Sequence, residues 1–204
     1  MSKVTHPLEM TWTTIPAGTF VMGSSQKQIR LIKQLDPDYS DEWLDREQPQ
    51  HEVYLSQFEI GVYPVTNRQF REFVNSTGYQ TERELDGLGK SVWHQFPFGE
   101  QRNSSSMEEM LDHPVVCVTV SDVLTYCQWF SQQTGDKVNL PTEAQWEKSS
   151  RGKDGRMWSW GDQFEESNCN ITGRGTTVVG SYPQGVSPYG VMDCAGNVWE
   201  WWRD

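Results

Sequence analysis

The side chains able to do chemistry are few in this chain of 204 residues, and their spacing restricts what they can do. Cys117, Cys127, Cys169 and Cys194 are scattered with no Cys-x-x-Cys pair, which signals neither a zinc site nor a disulfide framework. Cys117 falls in an apolar run that reads as a strand and Cys127 on the apolar face of a predicted helix, where an inert core thiol is the commoner case. Cys194, beside the last turn, is the one thiol worth testing. His51, His94 and His113 have no spacing suited to iron or zinc. Acids are densest at Asp36, Asp38, Asp41, Glu42, Asp45 and Glu47 around the single Arg46, a pattern that reads as a solvated loop with metal binding the lesser alternative. The end of the chain is different. Residues 191–204 crowd Trp199, Trp201 and Trp202 together with Asp193 and Glu200 around a Gly196-Asn197 turn. By spacing alone these acids are solvated; the indoles, however, need neighbours on several sides. The chain is therefore expected to be truncated there, with a protein partner covering the tryptophan-rich surface.

Composition bounds the function classes. A net charge of −11 and a pI near 4.8 exclude phosphate-driven nucleic-acid binding and disfavour anionic membranes. No apolar stretch approaches the ~20 residues of a membrane span, and the first residues lack the apolar segment of a secretory signal, so a cytoplasmic location is expected. Ten tryptophans supply much of the core, and 17 glycines with 10 prolines point to short elements joined by many turns.

Several elements can be read directly. Residues 15–24 read as a turn into a short strand closing on glycine, and residues 51–62 as one strand with a bulge where the alternation slips. Thr66 with Gln69 forms a capping box for a helix carrying Phe70, Phe73 and Val74 and stopping at Gly78. Residues 80–112 hold Gly87, Gly89, Gly99 and a serine run and read as an insertion or long loop. Residues 114–118 read as a short buried strand, followed by a helix capped by Ser121, with Val123, Leu124, Cys127 and Phe130 on one face until Gly135. Thr142 with Gln145 caps a further short helix ending at Gly152, and turns dominate beyond it.

The order of five motifs carries a family resemblance: Gly-Thr-Phe-Val-Met-Gly-Ser at 18–24, Pro-Val-Thr-Asn-Arg-Gln-Phe at 64–70, Asn-Leu-Pro-Thr-Glu-Ala-Gln-Trp-Glu at 139–147, Trp-Ser-Trp-Gly-Asp at 158–162 and Gly-Asn-Val-Trp-Glu-Trp at 196–201. The sequence resembles the sulfatase-modifying-factor family, named for the formylglycine-generating enzyme. That resemblance implies an α+β, loop-rich, C-type-lectin-like fold in a single domain over residues 13–204, behind a tail at 1–12. It also implies an ancestral oxidase that converts a protein cysteine to formylglycine with oxygen and a copper ion held by two thiolates, a soft ligand pair suited to Cu(I). In the family that pair follows the Gly-Asn-Val-Trp-Glu-Trp motif, and none of the four cysteines matches it. No catalytic residue is assigned, and copper is expected only if such a pair exists.

The resemblance further implies a structural calcium site formed by the Asp193 carboxylate, the Gly196 and Val198 carbonyls and the Glu200 carboxylate, an all-oxygen set suited to Ca²⁺. Asp193 stands where the family often has Asn. Asn168 and Cys169 match two positions of a second family site, but the shortened loop before Val178 offers no Asp partner, and no second site is assigned. The iron-dependent branch of the family is disfavoured by the histidine spacing. Two functions stay open: an oxidase lacking its catalytic cysteine segment, and a non-catalytic lectin-like binding module.

Overall fold

Helix caps set the framework. The computed structural model describes residues 9–86, 107–171, 173 and 175–204. In five helices a threonine or serine closes a capping box with the residue three places on: Ser25 for α1 (Gln26–Leu35), Thr66 for α3 (Asn67–Thr77), Thr81 for α4 (Glu82–Leu85), Thr119 for α5 (Val120–Thr134) and Thr142 for α6 (Glu143–Arg151). Gly78 and Gly135 end α3 and α5 in the left-handed conformation that glycine adopts without steric cost. The remaining helix, α2 (Asp41–Arg46), begins with Asp41 and Glu42, whose charges favour the helix N-terminus.

Two small antiparallel sheets complete the architecture. β1 (Trp12–Ile15) pairs with β4 (Phe58–Gly61), and β2 (Gly18–Met22) with β3 (His51–Leu55). After α6 the described chain is almost entirely turns, with single 3-10 turns at Glu166–Asn168 and Pro183–Gly185. The principal core lies between α3 and α5, where Phe70, Phe73, Tyr126, Trp129 and Phe130 pack with ring centroids between 5.4 and 6.4 Å apart. A separate tie is made by Lys148, whose buried ammonium donates to the Pro16 and Gly18 carbonyls at 2.8 Å and fixes the turn between β1 and β2 on α6. This is the expected α+β, loop-rich architecture.

Four local expectations are corrected. Residues 51–62 are two strands rather than one bulged strand, and the slip in alternation is the place where the chain passes from one sheet to the other. Residues 114–118 form no strand: Pro114 makes an isolated bridge to Thr66, and Cys117 at φ +60° interrupts any extended run. Thr119, not Ser121, caps α5, because the Asp122 carboxylate reaches back to the Thr119 amide at 2.8 Å while the Thr119 side chain accepts from the Asp122 amide. The bulky Tyr126 and Trp129 then take the buried face, leaving Leu124 outside. The acidic stretch at 36–47 is partly α2, anchored by buried Leu44. Of the insertion at 80–112, residues 87–106, with His94 and the serine run, lie outside the described residues; its flanks carry α4 and a series of turns at 107–112.

Candidate metal centre

The turn at 193–200 is folded by its own backbone and then fastened to three other parts of the chain. Asp193, Gly196 and Asn197 all adopt positive φ, at 60°, 88° and 65°, which curls the segment tightly. A side chain at Gly196 would run into the Asn170 carbonyl, so the close approach of these two loops requires glycine. The Asn197 amide donates to that same Asn170 carbonyl at 2.8 Å, while the Asn197 side-chain oxygen accepts from the Thr177 amide at 2.9 Å. These contacts hold residues 170, 177 and 197 together.

Each predicted carboxylate ties the turn to another part of the chain by one hydrogen bond. Asp193 is buried, and its Oδ2 accepts from the Gly180 amide at 2.7 Å. Burial pushes its acidity constant above the ordinary carboxylate value, the Gly180 hydrogen bond opposing this. Glu200 Oε2 accepts from the Trp146 indole N–H at 3.0 Å. Burial pushes Glu200 up to about 7, the Trp146 bond opposing and the Asp193 charge adding to the rise. Glu200 therefore senses the Asp193 charge, and no cationic side chain contributes to the shift of either acid. The Gly196 carbonyl accepts from the Val198 amide at 2.9 Å and retains its second lone pair.

Neighbouring carboxylates withdrawn from water are costly to ionise, and an oxygen-ligated divalent cation is one remedy. The Asp193 and Glu200 carboxylates and the Gly196 and Val198 carbonyls are oxygen donors of the kind such a cation takes. Among the described residues no group of three or more His, Cys, Asp or Glu side chains is placed to hold a metal, so any cation here would depend on backbone carbonyls as well.

The thiols offer nothing comparable. All four cysteines are free. Burial pushes every one of them above the ordinary thiol value, Cys127 to about 11, and at Cys194 the Glu200 and Asp193 charges add to the rise. Cys194 is therefore a protonated thiol beside two acids, so the one cysteine singled out from the sequence lacks the character of a nucleophile or a copper ligand. The donor set does not fit copper. His51 is exposed and holds the Pro49 carbonyl, and His113 bonds Thr176 at 2.9 Å, far from any shared centre.

Sequence reasoning missed the residues that lock the turn in place, Trp146, Asn170, Thr177 and Gly180. Only Trp146 lay within a recognised motif, and nothing in its spacing tied it to Glu200.

Comparison with known proteins places this geometry in context. The family described as "Sulfatase-modifying factor enzyme 1-like domain" matches residues 2–204. The chain is 32% identical to the formylglycine-generating enzyme of Mus musculus, over 98% of this chain and 59% of that protein. It is 30% identical to the inactive C-alpha-formylglycine-generating enzyme 2 of the same species, over 96% of this chain and 69% of that one. Among solved structures, PvdO from Pseudomonas aeruginosa superimposes with a TM-score of 0.67 at 25% identity, over 95% of this chain and 70% of the other. The chain thus spans roughly six to seven tenths of the length of these three proteins. With the matched region, the ordered motifs and the shared fold in agreement, the chain belongs to the sulfatase-modifying factor enzyme 1-like family.

Proposed function

We propose that this chain is the calcium-tied scaffold of a protein of the formylglycine-generating type, and that oxidation of a protein cysteine is the activity of its lineage rather than of the four cysteines it carries. The observation that carries this reading is that Asp193 and Glu200, held by Gly180 and Trp146 on the same turn, are both shifted toward the protonated form with no contribution from a cationic side chain. Calcium would be held by the Asp193 and Glu200 carboxylates and the Gly196 and Val198 carbonyls, and it would supply charge neutralisation and loop ordering rather than reactivity. The raised thiols support the second half of the reading, since thiolate chemistry with copper needs deprotonated sulfur. Four free thiols also favour a reducing, cytoplasmic setting.

The test is a melting curve with and without chelator. At a hundredfold excess over its dissociation constant calcium should stabilise the fold by about 2.7 kcal/mol, which for a chain of this size raises Tm by about 5–10 °C. Glu200→Ala should abolish the calcium response. A melting temperature indifferent to chelator in the unmodified chain sinks the calcium assignment.

A second reading, a protein-binding module, is favoured by the surface at the end of the chain. Trp199 is 90% exposed and Trp201 50% exposed, and Trp199 meets Trp43 edge to face at 6.5 Å. Exposed indoles gathered in this way mark a surface that receives another polypeptide.

A further inference from the structure

We propose that α1 and α2 form a self-complementary docking surface through which two copies of this chain pair, the basic α1 of each copy lying against the acidic α2 of the other. Both helices belong to the excursion between β2 and β3, and they take no part in the carboxylate turn at 193–200.

Charge is segregated sharply along this excursion. Residues 26–35 carry Lys27, Arg30 and Lys33 and no acid, whereas residues 36–47 carry Asp36, Asp38, Asp41, Glu42, Asp45 and Glu47 against the single Arg46. The whole chain has a net charge of −11, which drives copies apart, so one copy attracts another only at a basic island. α1 is such an island. Lys27 and Arg30 are exposed, three residues apart, and neither forms an ion pair among the described residues. Glu42 and Asp45 repeat that spacing on α2, so each pair is separated by about 4.5 Å along its helix axis. Asp45 has no cationic partner among the described residues, and Glu42 holds only the exposed Arg46, a kind of pair that contributes little and gives way readily.

Apolar surface accompanies these charges. α1 buries none of its residues, and Leu35 at its end is 60% exposed. Trp43 of α2 remains 49% exposed although its ring meets Tyr39 and Trp199 edge to face. Lys33 ties the end of α1 to the start of α2: its ammonium pairs with the Asp41 carboxylate at 2.7 Å and donates to the Tyr39 carbonyl. Buried Leu44 anchors α2 in turn. The two helices are thus offered as one fastened unit carrying both signs of charge. A two-fold axis makes every contact occur twice, so α1 against α2 on one side is matched by α2 against α1 on the other. The charges select the partner and its orientation, while Leu35 and Trp43 add the apolar contact that surface ion pairs lack. Helices of ten and six residues cover little area, which places the dimer among weak, reversible associations.

The experiment is sedimentation equilibrium in reducing buffer over a wide range of protein concentration. The unmodified chain is expected to pass reversibly from monomer to dimer. Lys27→Glu with Arg30→Glu should weaken the dimer by about tenfold, because each lost attraction occurs twice and is replaced by repulsion. Glu42→Lys with Asp45→Lys should weaken it as much, although that variant is less acidic overall and bulk repulsion alone would let its copies approach more closely. All four side chains are exposed, so the fold is kept. Lys27→Gln with Arg30→Gln, which only neutralises, should give an intermediate loss. Mixing the two reversed variants should restore pairing, since each α1 then meets an α2 of opposite charge. Three outcomes overturn the proposal. A chain that stays monomeric at every concentration has no such surface. A dimer that both reversals leave unchanged is held elsewhere on the molecule. Failure of the mixed variants to pair shows that bulk charge, and not α1 against α2, caused the losses.

Discussion

Glu200 holds its proton up to about pH 7 because burial and the Asp193 charge disfavour the carboxylate more than the Trp146 hydrogen bond favours it. Its folded value lies above that of the unfolded chain, so in metal-free protein its stabilising contribution is fully present below the ordinary carboxylate value and is lost as pH rises through about 7. Asp193 is shifted in the same direction. A calcium ion at the proposed site would reverse the demand, since a cation binds the ionised form, and its stabilising effect should grow over the same interval. We expect the urea midpoint of metal-free chain to fall between pH 5.5 and 8. Glu200→Gln, which keeps an acceptor for Trp146, should flatten that dependence. An equally steep decline in Glu200→Gln would assign the titration to another group. At Cys194, two residues from the turn's glycine, burial first and then the Glu200 and Asp193 charges raise the thiol and disfavour the reactive thiolate.

Asp122 shows how one short side chain can organise three elements. Its carboxylate is fully buried and accepts from the Thr119 amide and hydroxyl at the start of α5, from the Tyr79 hydroxyl just past α3 at 2.9 Å, and from the Glu82 amide opening α4 at 3.0 Å. Asp122→Ala leaves several buried donors unmet at once and should cost on the order of 3 kcal/mol in urea denaturation. Asp122→Asn, which keeps one acceptor oxygen, should cost less, and a loss under about 1 kcal/mol for Asp122→Ala would show that water replaces the carboxylate. The same residue explains what was legible in the sequence. Boxes closed by Gln over an apolar helix, at Thr66 and Thr142, stand out. The box closed by Asp122 does not, because Asp is the shorter and less usual partner, and the start of α5 was accordingly misplaced by two residues. α1 was missed for a different reason: it buries no residue, so its Ser25 and Gln28 box is not followed by a core-facing stripe.

At the level of the whole molecule, the fold could be read from the order of its motifs, whereas the assembly of its site could not. Asp193 and Glu200 are brought together by three positive-φ residues and by contacts to Asn170, Thr177, Gly180 and Trp146, and no local period encodes a link between residues 146 and 200. The same long-range arrangement distributes the terminal tryptophans unequally. Trp202 is half-buried and packs on Trp146 at 6.0 Å, the indole that holds Glu200, whereas Trp199 is 90% exposed and touches the Trp43 ring edge to face. Replacing the two should therefore give opposite results. Trp202→Ser removes a ring from beneath the carboxylate site and should lower stability by roughly 2 kcal/mol. Trp199→Ser should change stability by less than about 0.5 kcal/mol while reducing light scattering in concentrated solution, because it trims exposed apolar surface of the kind that promotes association. If Trp199→Ser proves as destabilising as Trp202→Ser, the Trp199 ring is covered in the free protein and takes no part in association.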